Sequence, residues 1–502
     1  VLDLAFRPDP QSSEPVYRQL AGFLRGGIES GRLAAGLKLP ATRDLADSLG
    51  LGRNTVTRAY EMLLETGCVH AHVGQGTFVA PLAGGRARDG APGLARGFAW
   101  DGLFSLASRS VTVPAALRRS LGRATRFDFR PGTVDLASLP AGALQRAFGI
   151  AISRKLRLIA GTVDPMGWKP LREAIAFRLG ERGIACEADD VLLVAGAQQA
   201  LDLVSRVLLD PGDTVVMEQP GYFGAALAFQ ARGANLVGVG VDEEGLRTGE
   251  LARVLRARRV KLVFTTPAVQ SPTGVVLAET RRRELLALAD EHQVPVFEDD
   301  YDGELRLGGP VVPALKTLDR AGQVVYVGTF SKALLPGLRV GYVVADRALV
   351  ARLALARLAA GLQSATLTEA ALAELVGSGA LERHVRRLRK RHLERRDALL
   401  AALAEELPPG THVTRPAGGT TVWVTLPGVF DAEALEQESR AREVTYVRGD
   451  GFFLDGRGRE SLALSFANLF PDELRAGTQR LGQAVRKVLA VNPAPSRRRS
   501  RT

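Results

Sequence analysis

Lysine is scarce in this chain: of 66 basic residues only eight are lysine, at positions 38, 155, 169, 261, 316, 332, 390 and 487, and the other 58 are arginine. Cysteine is scarcer still. Cys68 and Cys186 are the only two, which excludes a disulfide framework and any paired-cysteine metal spacing. The six histidines form no H-x-x-x-H pair and none adjoins a cysteine, so no metal site is expected. No run of about 18 apolar residues occurs. The chain starts without a basic-then-apolar pattern, so no membrane contact is expected and the protein reads as cytoplasmic.

What is present fits a folded chain with more than one domain. At 502 residues it exceeds a single ordinary domain, and 46% hydrophobic against 24% charged residues is the balance of a globular protein. The net charge of +12 is unevenly placed. Residues 1–80 hold eight basic and eight acidic groups, residues 81–125 seven arginines and two aspartates, and the last twelve residues four arginines. The excess therefore gathers in segments that read as unstructured, and charge alone does not decide between solvated tails and an auxiliary phosphate contact.

The first 80 residues read as three helices and a hairpin. "VYRQLAGFLRGGIESG" sets Tyr17, Leu20, Phe23, Leu24 and Ile28 on one helical face. "TRDLADSLG" is a short helix stopped by Gly50, and "RNTVTRAYEMLLETG" follows two residues later with Val56, Ala59, Tyr60 and Leu63 inward. "CVHAHVGQGTFVA" reads as two strands around Gly74 and Gly76. Two helices across so short a glycine turn make a helix-turn-helix, whose second helix enters the major groove of double-stranded DNA. Arg53, Asn54, Thr55 and Arg58 lead that helix: arginine grips guanine or phosphate, asparagine reads adenine, and a helix start welcomes phosphate. Arg43 is placed for the backbone, and Gly74 and Gly76 would form a wing that approaches closely.

Residues 81–125, rich in arginine and glycine, read as a linker that docks through Phe98, Trp100 and Phe104. Strands and helices then alternate: "DVLLVAG" with "AQQALDLVSRVLL", "DTVVMEQ" with "GYFGAALAFQARG", "VKLVFTT" with "ETRRRELLALADEH", then "PVFEDD" and "VVYVGTF". Such runs predict a mainly parallel α/β sheet. "HVTRPAGGTTVWVTL" and "ESLALSFANL" read as strands of a smaller α+β subdomain.

One lysine stands out, Lys332 in "TFSKALLPGLRVGY". A primary amine forms an imine with an aldehyde cofactor; a guanidinium stays protonated and does not. Pyridoxal phosphate (PLP) also needs a carboxylate at its pyridinium nitrogen and a cradle for its phosphate. "FEDDYDG" ends a strand with Glu298, Asp299, Asp300 and Tyr301, so a carboxylate and a phenol are available, and strand phase leaves Asp299 and Asp300 as alternatives. Gly196, Ala197 and Gln198 stand at a strand-to-helix junction, Thr329 and Ser331 flank Lys332, and Arg339 can clamp phosphate bidentately. Tyr222 in "EQPGYFG" can stack on a ring. Ligands of such sheets bind at the carboxyl ends of the strands, where all of these fall.

The motifs carry a resemblance. "PVYRQLAGFLRGGIESGRLAAGLKLPATRDLADSLGLGRNTVTRAYEMLLETG" with "GQGTFVA" resembles the GntR-type winged helix, with Ala41 and Gly52 where that family has capping serines. "GTVDPMGWKPLREAIA", "PAVQSPTG", "EDDYDGEL" and "TFSKALLPGLRVGY" resemble a fold-type I aminotransferase over about 126–490. Together they resemble the MocR/GabR-type subfamily of GntR transcription regulators. The resemblance implies a multi-domain chain. An N-terminal α+β winged helix-turn-helix would span 1–80, a linker 81–125 and an α/β aminotransferase-like domain 126–490. Within the last, the large part would cover roughly 160–375 and the small part roughly 376–490, with a basic tail at 491–502. It implies PLP as cofactor, Lys332 as its Schiff-base residue, Asp299 at the pyridinium, Tyr301 on the phenolic oxygen and a domain-swapped homodimer.

Two departures qualify the implied chemistry. Aminotransferases place asparagine where Ser271 stands, and an arginine that pairs with the substrate α-carboxylate where Ala463 stands. A desolvated carboxylate without that partner loses about 1.5–3 kcal/mol, so transamination of ordinary α-amino acids is expected to be weak or absent. Arg448 and Arg457 read as loop charges rather than substitutes. The expected function is a PLP-dependent regulator that senses a small amino compound or a vitamin B6 species. A working aminotransferase or racemase with a DNA tether, and a repressor using the large domain as a dimerisation scaffold, are the competing readings.

Overall fold

The computed structural model describes residues 6, 8, 14–29, 33, 36–72, 76–80, 103–105, 108, 109, 111–120, 122, 125–132, 134–161, 164–309, 312–428 and 430–491. Gly74, Phe98, Trp100 and the tail beyond Val491 lie outside them. The chain forms two compact units, Val1–Arg109 and Ser110–Thr502.

The first unit contains helices α1 (Val16–Glu29), α2 (Thr42–Leu49) and α3 (Arg53–Glu65), then strands β1 (Val69–His72) and β2 (Gly76–Val79). The strands pair antiparallel from Val69 opposite Val79 to His72 opposite Gly76, and Lys38 bridges Phe78 on the far side of β2. Leu20, Leu24, Leu45, Val56, Leu63 and Val79 are buried between the helices and the hairpin. Gly50 closes α2 in the left-handed region at φ 65, its N–H donating to Ala46 O, a conformation that favours glycine. Neither Ala41 nor Gly52 supplies a side-chain cap. The unit is a winged helix-turn-helix.

The second unit opens with β3 (Phe127–Asp128) and builds an eight-stranded sheet. Its strands are β4 (Val191–Val194), β5 (Thr214–Gln219), β6 (Asn235–Asp242), β7 (Gly245–Leu246), β8 (Val260–Thr265), β9 (Val296–Asp300), β10 (Val324–Thr329) and β11 (Gly341–Val344). They lie in the order β4-β11-β10-β9-β8-β5-β6-β7. The central neighbours are parallel, while β11 runs antiparallel to both β10 and β4. β4, β5, β8, β9 and β10 therefore finish at one edge, and β11 begins there. Separate buried clusters line the sheet, one around Leu203, Phe229, Phe264 and Phe297 and another around Leu171, Ile175 and Tyr326. This doubly covered sheet is what its continuous apolar strands require.

A second sheet, β12 (His412–Val413), β13 (Thr421–Thr425), β15 (Val447–Arg448) and β16 (Ser461–Ser465), is antiparallel in the order β12-β13-β16-β15. β14 (Val444–Thr445) pairs with β3. One face buries Leu462, Leu464 and Phe466 against Leu399 and Leu403 of helix Ala380–Glu406 and Leu474 and Leu481 of helix Pro471–Val491. The other buries Trp423, Ala463 and Val447 with Phe452 and Leu117. Leu117 belongs to a helix, Ala115–Ser120, inside the segment expected as linker, whose last part is thus packed against the small sheet. Phe104 is 49% exposed, contrary to the docking expected of it.

Among the described residues no helix is long and apolar enough to cross a membrane, and no group of three metal-ligating side chains occurs. Leu20 is fully buried in the first unit. Leu20→Ala is expected to cost that unit about 2–5 kcal/mol of unfolding free energy in a denaturant titration, through lost contacts and the cavity left behind.

Candidate cofactor site and candidate nucleic-acid interface

Three consecutive carboxylates end β9, all buried: Glu298, Asp299 and Asp300. Alternation along the strand separates them. Glu298 accepts from the amides of Leu315 and Lys316, both at 2.8 Å, and lies 4.0 Å from the Arg282 guanidinium. Asp300 accepts from Arg182 at 2.6 Å and from the Tyr326 hydroxyl, at the edge of an arginine-rich cavity. Asp299 faces the other way, towards Lys332, Tyr222 and Asp302. Its Oδ1 has no hydrogen-bond partner among the described residues. Burial, with Asp300 and Asp302 nearby, pushes its carboxyl up to about 8 despite Lys332. Of the two alternatives, Asp299 lies within electrostatic reach of Lys332, whereas Asp300 is held by Arg182 and Tyr326.

Lys332 sits in the turn after β10, half-buried, its Nζ 5.9 Å from the centre of the Tyr301 ring. It makes no hydrogen bond or ion pair among the described residues, unlike Lys155, Lys316 and Lys487, which each meet a carboxylate. Burial raises the Tyr301 hydroxyl well above its ordinary range, opposed by a hydrogen bond with Ser271. Ser271, expected to contribute weakly, thus stands beside the phenol. Thr329 Oγ1 lies 3.0 Å from Ser331 Oγ and accepts from Ser331 N at 3.2 Å, which shapes the lysine turn.

The strand-to-helix junction after β4 lies against this turn. Gly196 caps helix Ala197–Leu208 at φ 83. A Cβ there would stand 3.3 Å from the Arg339 guanidinium, a tight approach that adds to the preference for glycine set by the conformation. Arg339, itself left-handed at φ 51, donates to Ala195 O at 2.6 Å. The amides of Ala197 and Gln198 make no hydrogen bond among the described residues. Tyr222 donates to Gln198 Oε1 at 3.3 Å and lies within electrostatic reach of Asp299 and Arg339. The predicted residues of the second unit therefore converge on one edge of the sheet.

Sequence reasoning missed Glu218 and Gln270. Glu218 is 1% exposed and accepts from Thr265 Oγ1, Thr266 Oγ1 and Thr266 N at 2.6, 2.6 and 3.1 Å, and from Gln270 Nε2 at 3.2 Å. Gln270 also donates to Pro220 O at 2.8 Å, so the pair ties the loop before Tyr222 to the loop bearing Ser271. The one available signal was a glutamate in an otherwise apolar strand. Arg448 is not a loop charge but a buried strand residue, held by Asp450 at 2.6 Å and Glu433 at 2.8 Å. Arg457 is exposed, beside Asp455 and 5.1 Å from the Phe453 ring.

In the first unit, Arg53 opens α3 and is exposed, as are Asn54, Arg58 and Arg43, while Thr55 is half-buried. Arg58 lies 5.4 Å from the Tyr17 ring. Asn54, Thr57, Arg58 and Glu61 share one helical face, which adds Thr57, recoverable from spacing alone. At Gly76, φ 111, a Cβ would strike Lys38 at 2.9 Å. The arrangement offers an exposed helix start with arginine and amide side chains, the geometry of a major-groove reader.

Comparison with known proteins finds a family match for each of the two parts of the chain. Residues 16–79 match the bacterial regulatory proteins of the gntR family, and residues 144–481 match aminotransferase class I and II. The chain is 31% identical over 484 residues to the probable rhizopine catabolism regulatory protein MocR of Rhizobium meliloti, covering 95% of each. It is 32% identical over 487 residues to the HTH-type transcriptional regulator TauR of Rhodobacter capsulatus, covering 95% of this chain and 98% of that one. Among solved structures it resembles LysN, the α-aminoadipate aminotransferase of Thermus thermophilus. Identity is 32% and the TM-score 0.73, over 78% of this chain and all of that one. A gntR-family winged helix and a class I and II aminotransferase domain in one chain, matched end to end by such regulators, make this protein a member of the MocR/GabR-type subfamily of GntR transcription regulators.

Proposed function

We propose that this protein is a PLP-dependent DNA-binding regulator whose aminotransferase-like domain senses a small amino compound or a B6 vitamer, and that it works as a homodimer on paired half-sites. The single observation that carries this is the buried, unpartnered Asp299 Oδ1 on the Lys332 side of the sheet. A buried acid without a partner calls for a cation, and an arginine beside helix-start amides that have no protein partner among the described residues calls for an anion. PLP carries a pyridinium and a phosphate at opposite ends of one ring, so the residues fit it. Asp299 would hold the ring nitrogen, Tyr301 and Ser271 the phenolic oxygen, Tyr222 the ring face, and Gly196, Ala197, Gln198, Thr329, Ser331 and Arg339 the phosphate. The bound cofactor supplies an aldehyde that condenses with primary amines, of which Lys332 is the resident one.

Recognition of an amino-acid substrate lacks support. Ala463 is fully buried in an apolar cluster with Trp423, Val447, Phe452 and Leu117, where an arginine head would be desolvated. Arg448 is neutralised by its own carboxylates, so it is not free to receive another. What remains is amine capture without carboxylate binding, which suits a sensor. A ligand shifts the dimer only by preferring one of its arrangements.

These features are open to four tests. PLP-loaded protein should show the imine absorption band, Lys332→Ala should lose it, and neither should turn over common amino acids with 2-oxoglutarate; enzyme-like turnover would favour the aminotransferase reading. Asp299 titrates at about 8 in the folded chain against 3.8 ordinarily. The unfolded state therefore releases this proton first, and cofactor-free stability should fall as pH rises through that window, less so in Asp299→Asn. PLP should bind Asp299→Asn more weakly. Finally, Arg53→Ala should weaken binding to the operator and reduce the slope of log affinity against log salt by about one, as read by fluorescence anisotropy.

A further inference from the structure

Behind Lys332 lies a small recess whose walls include Asp135, Lys332, His384, Leu388, His392 and Thr420. Its volume is about 10 Å³, about the room of one water. His384 and His392 reach it from helix Ala380–Glu406, 1% and 2% exposed. His384 Nε2 lies 2.7 Å from the carbonyl oxygen of Ala333, the residue after Lys332. A carbonyl only accepts, so Nε2 carries the hydrogen and Nδ1 is left with a lone pair. That Nδ1 has no partner among the described residues, and neither has either nitrogen of His392. Buried polar atoms are rarely left so.

The other polar groups of the recess do not answer this need. Asp135 accepts from Ala137 N at 3.0 Å and from Ser138, and it pairs with Arg395 at 3.0 Å. Burial lowers both imidazoles, His392 to about 4, so they are neutral at pH 7. Among the described residues, two donors on the recess wall are left without a partner, the N–H of neutral His392 and the amine of Lys332.

We propose that His384 is a positioning residue for the Lys332 amine: its Nε2–H fixes the carbonyl of Ala333, and its Nδ1 accepts a hydrogen bond from the amine, directly or through one water. This rests on Lys332 being the reactive amine. Around that amine stand Asp299 and Asp302 beyond β9, the Tyr301 ring, and on the recess side Asp135, His384 and His392, with Arg387, Arg391 and Arg395 beyond them. A neutral acceptor favours the ammonium form of the amine without adding charge. Removing the acceptor therefore lowers the pH at which the amine becomes free.

The test uses cofactor-free full-length protein. The rate of Lys332 acetylation is followed against pH by peptide mass spectrometry in wild type, His384→Gln and His384→Leu. Glutamine keeps a donor for Ala333 O, and its acceptor, the amide oxygen, does not stand at the Nδ1 position, so it separates the two roles. The midpoint of the rate profile should fall by about one pH unit in both variants, with His384→Gln keeping the wild-type melting temperature. A midpoint for His384→Gln equal to or above the wild type overturns the proposal. Should the variants not fold, a high-resolution structure of the wild type decides: the amine or an ordered water within reach of Nδ1 supports it, and a dry recess overturns it. Failure of the Lys332 reading itself would appear separately, as a cofactor band that survives Lys332→Ala.

Discussion

Three acids in a row at the end of a fully buried strand are the constraint around which the second unit is arranged. A buried carboxylate must find donors or keep its proton. Glu298 and Asp300 meet the need within the fold, through two backbone amides, Arg182 and Tyr326. Asp299 is left facing the one lysine of the site. Strand pleating thus assigns the two outer acids to the scaffold and the middle one to whatever binds. The same edge gathers Gly196, Tyr222, Lys332 and Arg339 because β4, β5 and β10 end there and β11 starts there. Topology, rather than local sequence, brings these distant segments together.

Much of this was legible in the sequence because the signals are short-range. Gly50 stops α2, the helical faces of α1 and α3 repeat cleanly, and the apolar strands announce a sheet covered on both sides. The lysine turn stood out because lysine is rare here and only an amine suits an imine. What was hidden depends on contacts across many residues. The phase of β9 could not be read from a run in which every residue is buried. Glu218 and Gln270 join two loops about 50 residues apart, and nothing local marks either end. Arg448 looked like a loop charge because its partners, Glu433 and Asp450, become neighbours only once the small sheet forms.

The linker shows the same limit from the other side. Its composition reads as unstructured, yet Ala115–Ser120 is a helix whose Leu117 fills the apolar face containing Ala463. A six-residue helix is not stable by propensity alone; packing on Trp423, Val447 and Phe452 supplies what the sequence does not. The absence of arginine at Ala463 and the presence of this helix are therefore one structural fact. A charged head at that position would compete with the helix for the same face.

This joins the chemistry to regulation in a way that a catalytic site would not require. The face that lacks a carboxylate partner is built partly from the segment leading back towards the first unit, since Leu117 lies a few residues after the unit boundary at Ser110. Helix Ala380–Glu406 extends the connection, holding the carbonyl beside Lys332 through His384 at one end and burying Leu399 and Leu403 under the small sheet at the other. The lysine turn is thus joined through His384 to the helix that packs under the small sheet, and the small sheet carries Ala463 and its cover. In a member of a regulator family, the packing that joins this turn to the small sheet is as much a part of the site as the residues that line it.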